Sequence, residues 1–263
     1  MEQITDPMGL VKAARKNAKA ALRAQQDKHI RTLEPQGNNW SRLTEVTLDP
    51  FELRRNNIII EQTDPQAVHI DRLRTRTLRV MRNSGFKRLA ITSPDAGCGK
   101  STVAANLALS MARQSDLNVM LFDFDLRKPS LIHHLDLAER GPRFSALLHT
   151  RRNFETTTLR VGRNLALSLN ATPTDAPAEM LGAKRARDLL NHVEEDFDPD
   201  IMIFDLPPLL SVDDTLAALD CVDAALLVAR ADYSTIDQID QAERLITEQI
   251  TCLGVVLNQS RFD

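Results

Sequence analysis

The run S-P-D-A-G-C-G-K-S-T, Ser93 to Thr102, brings together residue types that hold phosphate. Gly97 and Gly99 can turn the backbone so that its N–H groups close around phosphate oxygens, and a helix starting just beyond would add the partial positive charge of its N-terminus. Lys100 is placed to bridge a β- and a γ-phosphate, and the Ser101 hydroxyl to ligate Mg²⁺. Gly97, Cys98, Gly99, Lys100, Ser101 and Thr102 are therefore read as a P-loop that binds ATP with Mg²⁺. Pro94 stands where the strict pattern has glycine, but G-K-S-T between an apolar run and the helix-forming V-A-A-N-L-A-L-S-M-A carries the reading. Cys98 is read first as loop filling, with a thiolate stabilised at the helix N-terminus as the alternative.

Two acidic patterns follow. V-M-L-F-D-F-D-L-R-K-P, residues 119–129, ends an apolar run in Asp123 and Asp125, and D-I-M-I-F-D-L-P-P, residues 200–208, ends another in Asp205. Carboxylates at strand ends beside a phosphate loop can hold Mg²⁺ or its waters, or take a proton from an attacking hydroxyl. Asp205 has the Walker B arrangement, in which the carboxylate holds magnesium through water. The expected catalytic set is Lys100, Asp123, Asp125 and Asp205, and the expected metal set is Ser101, Asp123 and Asp205. His133 and His134 come next, but adjacent histidines on a helix point to different sides and make a poor metal pair, so solvent-facing positions are expected.

These groups need a scaffold that delivers them to one edge. From Lys87 onward short apolar runs alternate with longer amphipathic stretches, the pattern of βα units. It predicts strands over 88–92, 119–123, 165–169, 201–205, 225–228 and 254–257, and helices over 66–82, 100–113, 178–193, 213–219 and 235–247. Apolar strands buried on both faces imply an α/β fold with a doubly wound, mainly parallel sheet. The nucleotide-binding domain is expected over 64–263, after an arm and linker over 1–63. In the arm Lys12, Arg15, Lys16, Lys19 and Arg23 make one helix face basic, opposite a thin stripe of Val11, Ala14, Ala18, Ala21 and Leu22. A solvated arm is the first reading, a membrane or partner contact the second. The linker reads as irregular with one strand near 58–60 and Trp40 as a candidate anchor. Arg72, Arg74, Arg76 and Arg79 read as a solvated face or a subunit contact.

The 263 residues are 43% hydrophobic and 26% charged, enough for one large α/β core with an extension. A formal net charge of −3 argues against nucleic acid as a partner unless a local cluster attracts it. The three cysteines, Cys98, Cys221 and Cys252, form no C-x-x-C pair and suit a reduced cytoplasm. Apolar runs fall far short of the ~20 residues of a membrane-spanning helix, so contact with a membrane is expected only at its surface or through a partner.

T-S-P-D-A-G-C-G-K-S-T, L-F-D-F-D-L-R-K-P-S-L, I-F-D-L-P-P-L-L-S-V-D-D, L-L-V-A-R-A and G-V-V-L-N together resemble the cytoplasmic domain of the bacterial tyrosine kinases (BY-kinases), of the CpsD-CapB-like kind, from Asp71 to Asn258. The resemblance implies phosphate binding by Gly97, Gly99, Lys100, Ser101 and Thr102, a second Walker motif at Asp123 and Asp125, Walker B at Asp205, and an adenine contact at Asn258. It also implies a membrane-embedded chain-length regulator of exopolysaccharide or capsule synthesis as partner. The chain departs from the family in three places. Its one tyrosine is Tyr233, and no tyrosine cluster follows it, so phosphoryl transfer without self-labelling is expected. The interface motif E-x-x-R-x-x-R falls on Val68, Asp71 and Arg74, keeping only its last arginine, which leaves self-association open. Asp95 stands where the neighbouring MinD/ParA ATPases carry a second lysine. ATP hydrolysis or phosphoryl transfer is the leading expectation; a non-catalytic ATP-dependent switch and a MinD/ParA-like positioning ATPase remain the alternatives.

Overall fold

The computed structural model describes residues 39–59, 61, 63–137, 145–149 and 154–260, so the basic helix read over 9–30 lies outside the described residues, as does part of the strand read near 58–60. Thr44–Val46 (β1), Arg88–Thr92 (β2), Val119–Asp123 (β3), Leu159–Val161 (β4), Leu165–Ser168 (β5), Ile201–Asp205 (β6), Ala224–Arg230 (β7) and Thr251–Asn258 (β8) form one sheet in the order β1-β4-β5-β3-β6-β2-β7-β8. Every pairing is parallel except that of β4 with β5. Parallel neighbours need crossovers long enough to carry helices. These are Pro50–Arg55 (α1), Ala67–Ser84 (α2), Lys100–Ala112 (α3), Leu131–His134 (α4), Ser145–His149 (α5), Pro177–Gly182 (α6), Lys184–Phe197 (α7), Asp214–Leu219 (α8) and Ile236–Thr247 (α9).

The period-2 alternation of the strands divides the apolar residues between two cores. Leu89, Ile91, Val119, Leu121, Ile201 and Ile203 meet Leu78 and Met81 of α2 and Leu107 and Met111 of α3 on one face. Ala90, Met120, Phe122, Met202 and Phe204 meet Leu190 of α7, Leu219 of α8 and Ile246 of α9 on the other. Phe122 and Phe204 stack with centroids 4.9 Å apart, and Phe124 meets Phe204 edge-on at 4.9 Å. Helices on both faces make the sheet doubly wound, as its apolar strands imply. The helix α3 is apolar nearly all round because it is enclosed by the sheet and α2.

The structure departs from the sequence reading in three elements. β1 and β4 have three residues each, too few for alternation to register. The helix expected over 178–193 breaks between Gly182 and Lys184, where Ala183 is extended (φ −69°, ψ 143°). The compact unit that holds the sheet begins at Asn39, so the boundary expected at 63/64 falls inside it. Trp40 packs edge-on against Phe197 with centroids 6.2 Å apart and donates Nε1–H to the Phe197 carbonyl at 2.8 Å. Leu53 and Ile58 lie fully buried in the α2/α3 core. The Asn106 side chain of α3 accepts from Ile59 N at 2.7 Å and donates to the Asn57 carbonyl at 3.0 Å. A few apolar anchors spaced through polar sequence tie residues 39–59 to the sheet, which is why they read as linker.

A chain starting at Asn39 is expected to melt cooperatively and bind ATP as tightly as the full chain. One starting at Asp64 loses Trp40, Leu53 and Ile58, each contributing about 2–5 kcal/mol, and is expected to show no cooperative melt. Circular-dichroism melts and nucleotide titrations of the two truncations check this; equal stability of both would return residues 39–63 to the linker.

Candidate functional site

The carboxyl ends of β2, β3 and β6 meet at one edge, and strand register decides what they present. Ile91 of β2 pairs with Asp205 of β6, and Asp205 pairs with Asp123 of β3, so both aspartates emerge at one level beside the loop that follows Thr92. The loop bends through two left-handed glycines, Gly97 (φ +80°) and Gly99 (φ +85°), before α3 begins at Lys100. A Cβ on Gly99 would collide with the Asn258 side-chain amide, and the φ of +85° strains any other residue there. Asn258, at the end of β8, donates from Nδ2 to the Cys98 carbonyl at 2.9 Å. Gln238, in the first turn of α9, donates to Asp95 Oδ2 at 2.5 Å. The loop is thus braced from β8 and from α9.

Lys100 points into a nest of carboxylates. Its Nζ donates to Asp125 Oδ2 at 2.9 Å, stands 3.6 Å from Asp205 Oδ1, and donates to Ser101 Oγ at 3.3 Å. Asp123 and Asp205 are 0% exposed. Burial first, then the neighbouring Asp205, push the Asp123 carboxyl well above the ordinary range, against the pull of Lys100. Burial also raises Asp205, again opposed by Lys100. For Lys100 burial acts downward, but Asp205 and Asp125 outweigh it and the ammonium is held above its usual value. One ammonium therefore faces three carboxylates.

Above this nest lies a cleft of about 490 Å³. One wall is the loop, with Gly97, Gly99, Lys100, Ser101 and Thr102; Asp125, Arg127, Lys128, Ser130 and His134 form another, and Pro207, Pro208 and Ser211 a third. Asp125 reaches the cleft while Asp123 and Asp205 lie beneath, so of the two aspartates read as possible bases, Asp125 is the one that can meet a bound group. Cys98 and Asn258 do not line it. The Cys98 side chain is buried, 3.6 Å from Ser234 Oγ, and the Asn258 side chain donates from Nδ2 to the loop at the Cys98 carbonyl. His134, expected to face solvent, is half-buried in the cleft wall, and burial followed by Lys100 lowers its pKa; His133 is exposed. The four-residue α4 is too short for helical spacing to have revealed which histidine turns inward. The Arg127 contribution was equally hidden, though it follows Asp125 by only two residues.

Oδ1 of Asp123 is buried without a hydrogen-bond partner, and the buried Asp205 carboxylate has no close donor, the Lys100 ammonium standing 3.6 Å from Oδ1 with the Ser101 hydroxyl nearby. Buried carboxylate oxygens left this way are destabilising unless a cation or donor meets them. Ser101 Oγ, which accepts from Ser130 Oγ at 3.0 Å, lies at the same spot. Among the described residues no group of His, Cys, Asp or Glu side chains is arranged to hold a metal alone. That donor set suits Mg²⁺, which takes one or two protein oxygens and fills its octahedron with phosphate and water.

Comparison with known proteins agrees with this fold. A family model described as ParA, NUBPL iron-transfer P-loop NTPase, matches residues 86–263. Tyrosine-protein kinase YwqD of Bacillus subtilis is 30% identical over 211 residues, covering 78% of this chain and 86% of that protein. Putative tyrosine-protein kinase EpsB of Ralstonia solanacearum is 30% identical over 200 residues, 74% of this chain but 26% of that longer protein. The solved kinase domain of Escherichia coli tyrosine kinase ETK superposes with a TM-score of 0.66 at 25% identity, covering 76% of this chain and 80% of that one. On the family match over residues 86–263 and the 30% identity to a kinase covered to 86% of its length, the chain belongs to the ParA-type P-loop NTPases, in the branch of the bacterial tyrosine-protein kinases.

Proposed function

We propose that this protein binds ATP with Mg²⁺ and transfers the γ-phosphoryl group to water or to a hydroxyl of another protein. The observation that carries the proposal is the single Lys100 ammonium among three carboxylates beneath a glycine loop, with the buried Asp205 and Asp123 oxygens short of close hydrogen-bond donors. The backbone N–H groups of the loop hold phosphate oxygens, and Lys100 leaves Asp125 to meet the β- and γ-phosphates. That exchange frees Asp125, at the cleft wall, to take the proton of the attacking oxygen. Ser101, with Asp205 and Asp123 acting through water, would hold Mg²⁺, which would supply neutralisation of the phosphate charge. Burial keeps Asp123 and Asp205 out of reach of the acceptor, so their part is to hold and orient.

By the BY-kinase resemblance we assign this chemistry to exopolysaccharide or capsule synthesis, with a membrane-embedded chain-length regulator as partner and a peripheral place at the membrane. No helix among the described residues is long and apolar enough to cross a membrane. Residues 1–38, rich in Lys and Arg, are the proposed contact to the partner or the membrane surface. Arg74, the one residue matching the family's interface motif, is tied to Asp71 at 3.2 Å and to the Ser110 carbonyl at 3.1 Å in its own chain, which argues against ring assembly through α2.

Three variants separate the roles. Lys100→Ala removes the ammonium seated among the carboxylates at the start of α3 and is expected to abolish measurable ATP binding; unchanged affinity would remove Lys100 from the site. Asp125→Asn releases Lys100 from its ion pair, so ATP is expected to bind at least as tightly as in the wild type while turnover falls about 10²–10⁴-fold. Weaker binding with wild-type turnover in that variant would exclude Asp125 as the base. Asp205→Asn should retain ATP binding and lose turnover, with a raised Mg²⁺ requirement; wild-type turnover at low Mg²⁺ would place Asp205 outside the metal shell.

A further inference from the structure

Arg127 stands in the cleft wall between Asp125 and α4 with no part in the steps above. Its guanidinium makes a two-point contact with Asp214, Nε donating to Oδ2 at 2.9 Å and Nη2 to Oδ1 at 2.8 Å. The two ends of the pair differ in burial: the Asp214 side chain is 0% exposed in the first turn of α8, whereas the Arg127 side chain is 45% exposed. A fork against a carboxylate fixes the plane of the guanidinium, which a lysine would not do. Of five N–H donors two go to Asp214, leaving three for a group in the cleft that Arg127 lines.

The anchor is itself tied to the phosphate site. Thr215, next to Asp214, donates its hydroxyl to the Pro207 carbonyl at 2.7 Å, and Thr92, at the end of β2, donates to the same carbonyl at 2.7 Å. Leu209 N and Leu210 N donate to the carbonyls of Ser93 and Pro94 at 2.8 and 3.0 Å. Asp214 therefore holds Arg127 at a set position relative to the loop that carries Lys100.

We propose that Arg127 contacts the phosphoryl group as it is transferred, with Asp214 as its positioning residue. This rests on the phosphoryl-transfer reading given above. In that step the bond from the γ-phosphorus to the β,γ-bridging oxygen breaks and its electron pair leaves with ADP. The acceptor oxygen forms the new bond to phosphorus, and its proton passes to Asp125. Negative charge grows on the bridging oxygen while the three equatorial oxygens move apart, and the remaining N–H groups of Arg127 donate to them. ADP alone lacks the group that Arg127 recognises, so Arg127 contributes to the transition state and little to ADP binding.

The test compares affinity for Mg²⁺-ADP with affinity for Mg²⁺-ADP plus aluminium fluoride, which mimics the planar phosphoryl group, by calorimetry on the full chain. Wild type is expected to bind the mimic at least about 10²-fold more tightly than ADP. Arg127→Ala should bind ADP within about threefold of wild type and lose tenfold or more of that gain, and Arg127→Lys should restore only part of it. Asp214→Asn should reduce the gain in wild type and change nothing further in an Arg127→Ala background, a dependence that a merely structural tie would not produce. The double variant also removes the buried unpaired carboxylate that Arg127→Ala leaves behind, and so remains measurable if the single variant misfolds. A wild-type gain retained in Arg127→Ala, or in the double variant, overturns the role of Arg127 alone. Wild type that binds ADP but gains nothing from aluminium fluoride overturns the phosphoryl-transfer reading itself, and the role of Arg127 with it.

Discussion

The register of three parallel strands governs this protein. Because Ile91, Asp205 and Asp123 lie side by side across β2, β6 and β3, two carboxylates emerge under the loop that ends in Lys100. A one-residue slip in either ladder would turn an aspartate to the opposite face and replace it with an apolar neighbour. The two apolar cores prevent that slip, since each strand's odd and even residues belong to different helical layers. Packing on both faces of the sheet thus supplies the electrostatics at its edge.

That edge is poised rather than neutral. Burying Asp123 and Asp205 with a single ammonium disfavours their charged forms, and their oxygens lack close hydrogen-bond donors. Such an arrangement is unfavourable for the isolated chain and favourable for one that receives a cation and a polyphosphate together. The Lys100–Asp125 pair provides partial neutralisation without ligand. Its exchange for phosphate would link nucleotide arrival to release of the base, so binding and catalytic readiness share one contact. The loop beneath is stiffened from two sides by Asn258 and Gln238, which lets a glycine-rich segment hold one shape.

The parts legible in sequence were those in which residue type and periodicity point the same way. Apolar runs that end in aspartate announced β3 and β6, and G-K-S-T after an apolar run announced the start of α3. Three-residue strands such as β1 carry no readable alternation. Trp40, Leu53 and Ile58 reach the core singly from polar surroundings, so a segment integral to the fold looked like a tether. At the site, Lys100 and the aspartates were legible because their chemistry follows from position after a strand. His134 and Arg127 depend on how a short helix and a loop turn toward the cleft, and Asn258 on how close β8 comes to Gly99; tertiary packing alone decides these.

The most direct test of the account is calorimetric titration of the full chain with ATP, once with Mg²⁺ and once with EDTA. The buried Asp205 and Asp123 carboxylates, short of close donors, call for one ATP per chain and an affinity at least about tenfold higher with Mg²⁺, since a cation would offset the charge of phosphate and carboxylates together. ATP affinity that is the same with and without Mg²⁺, or no ATP binding at all, would contradict it.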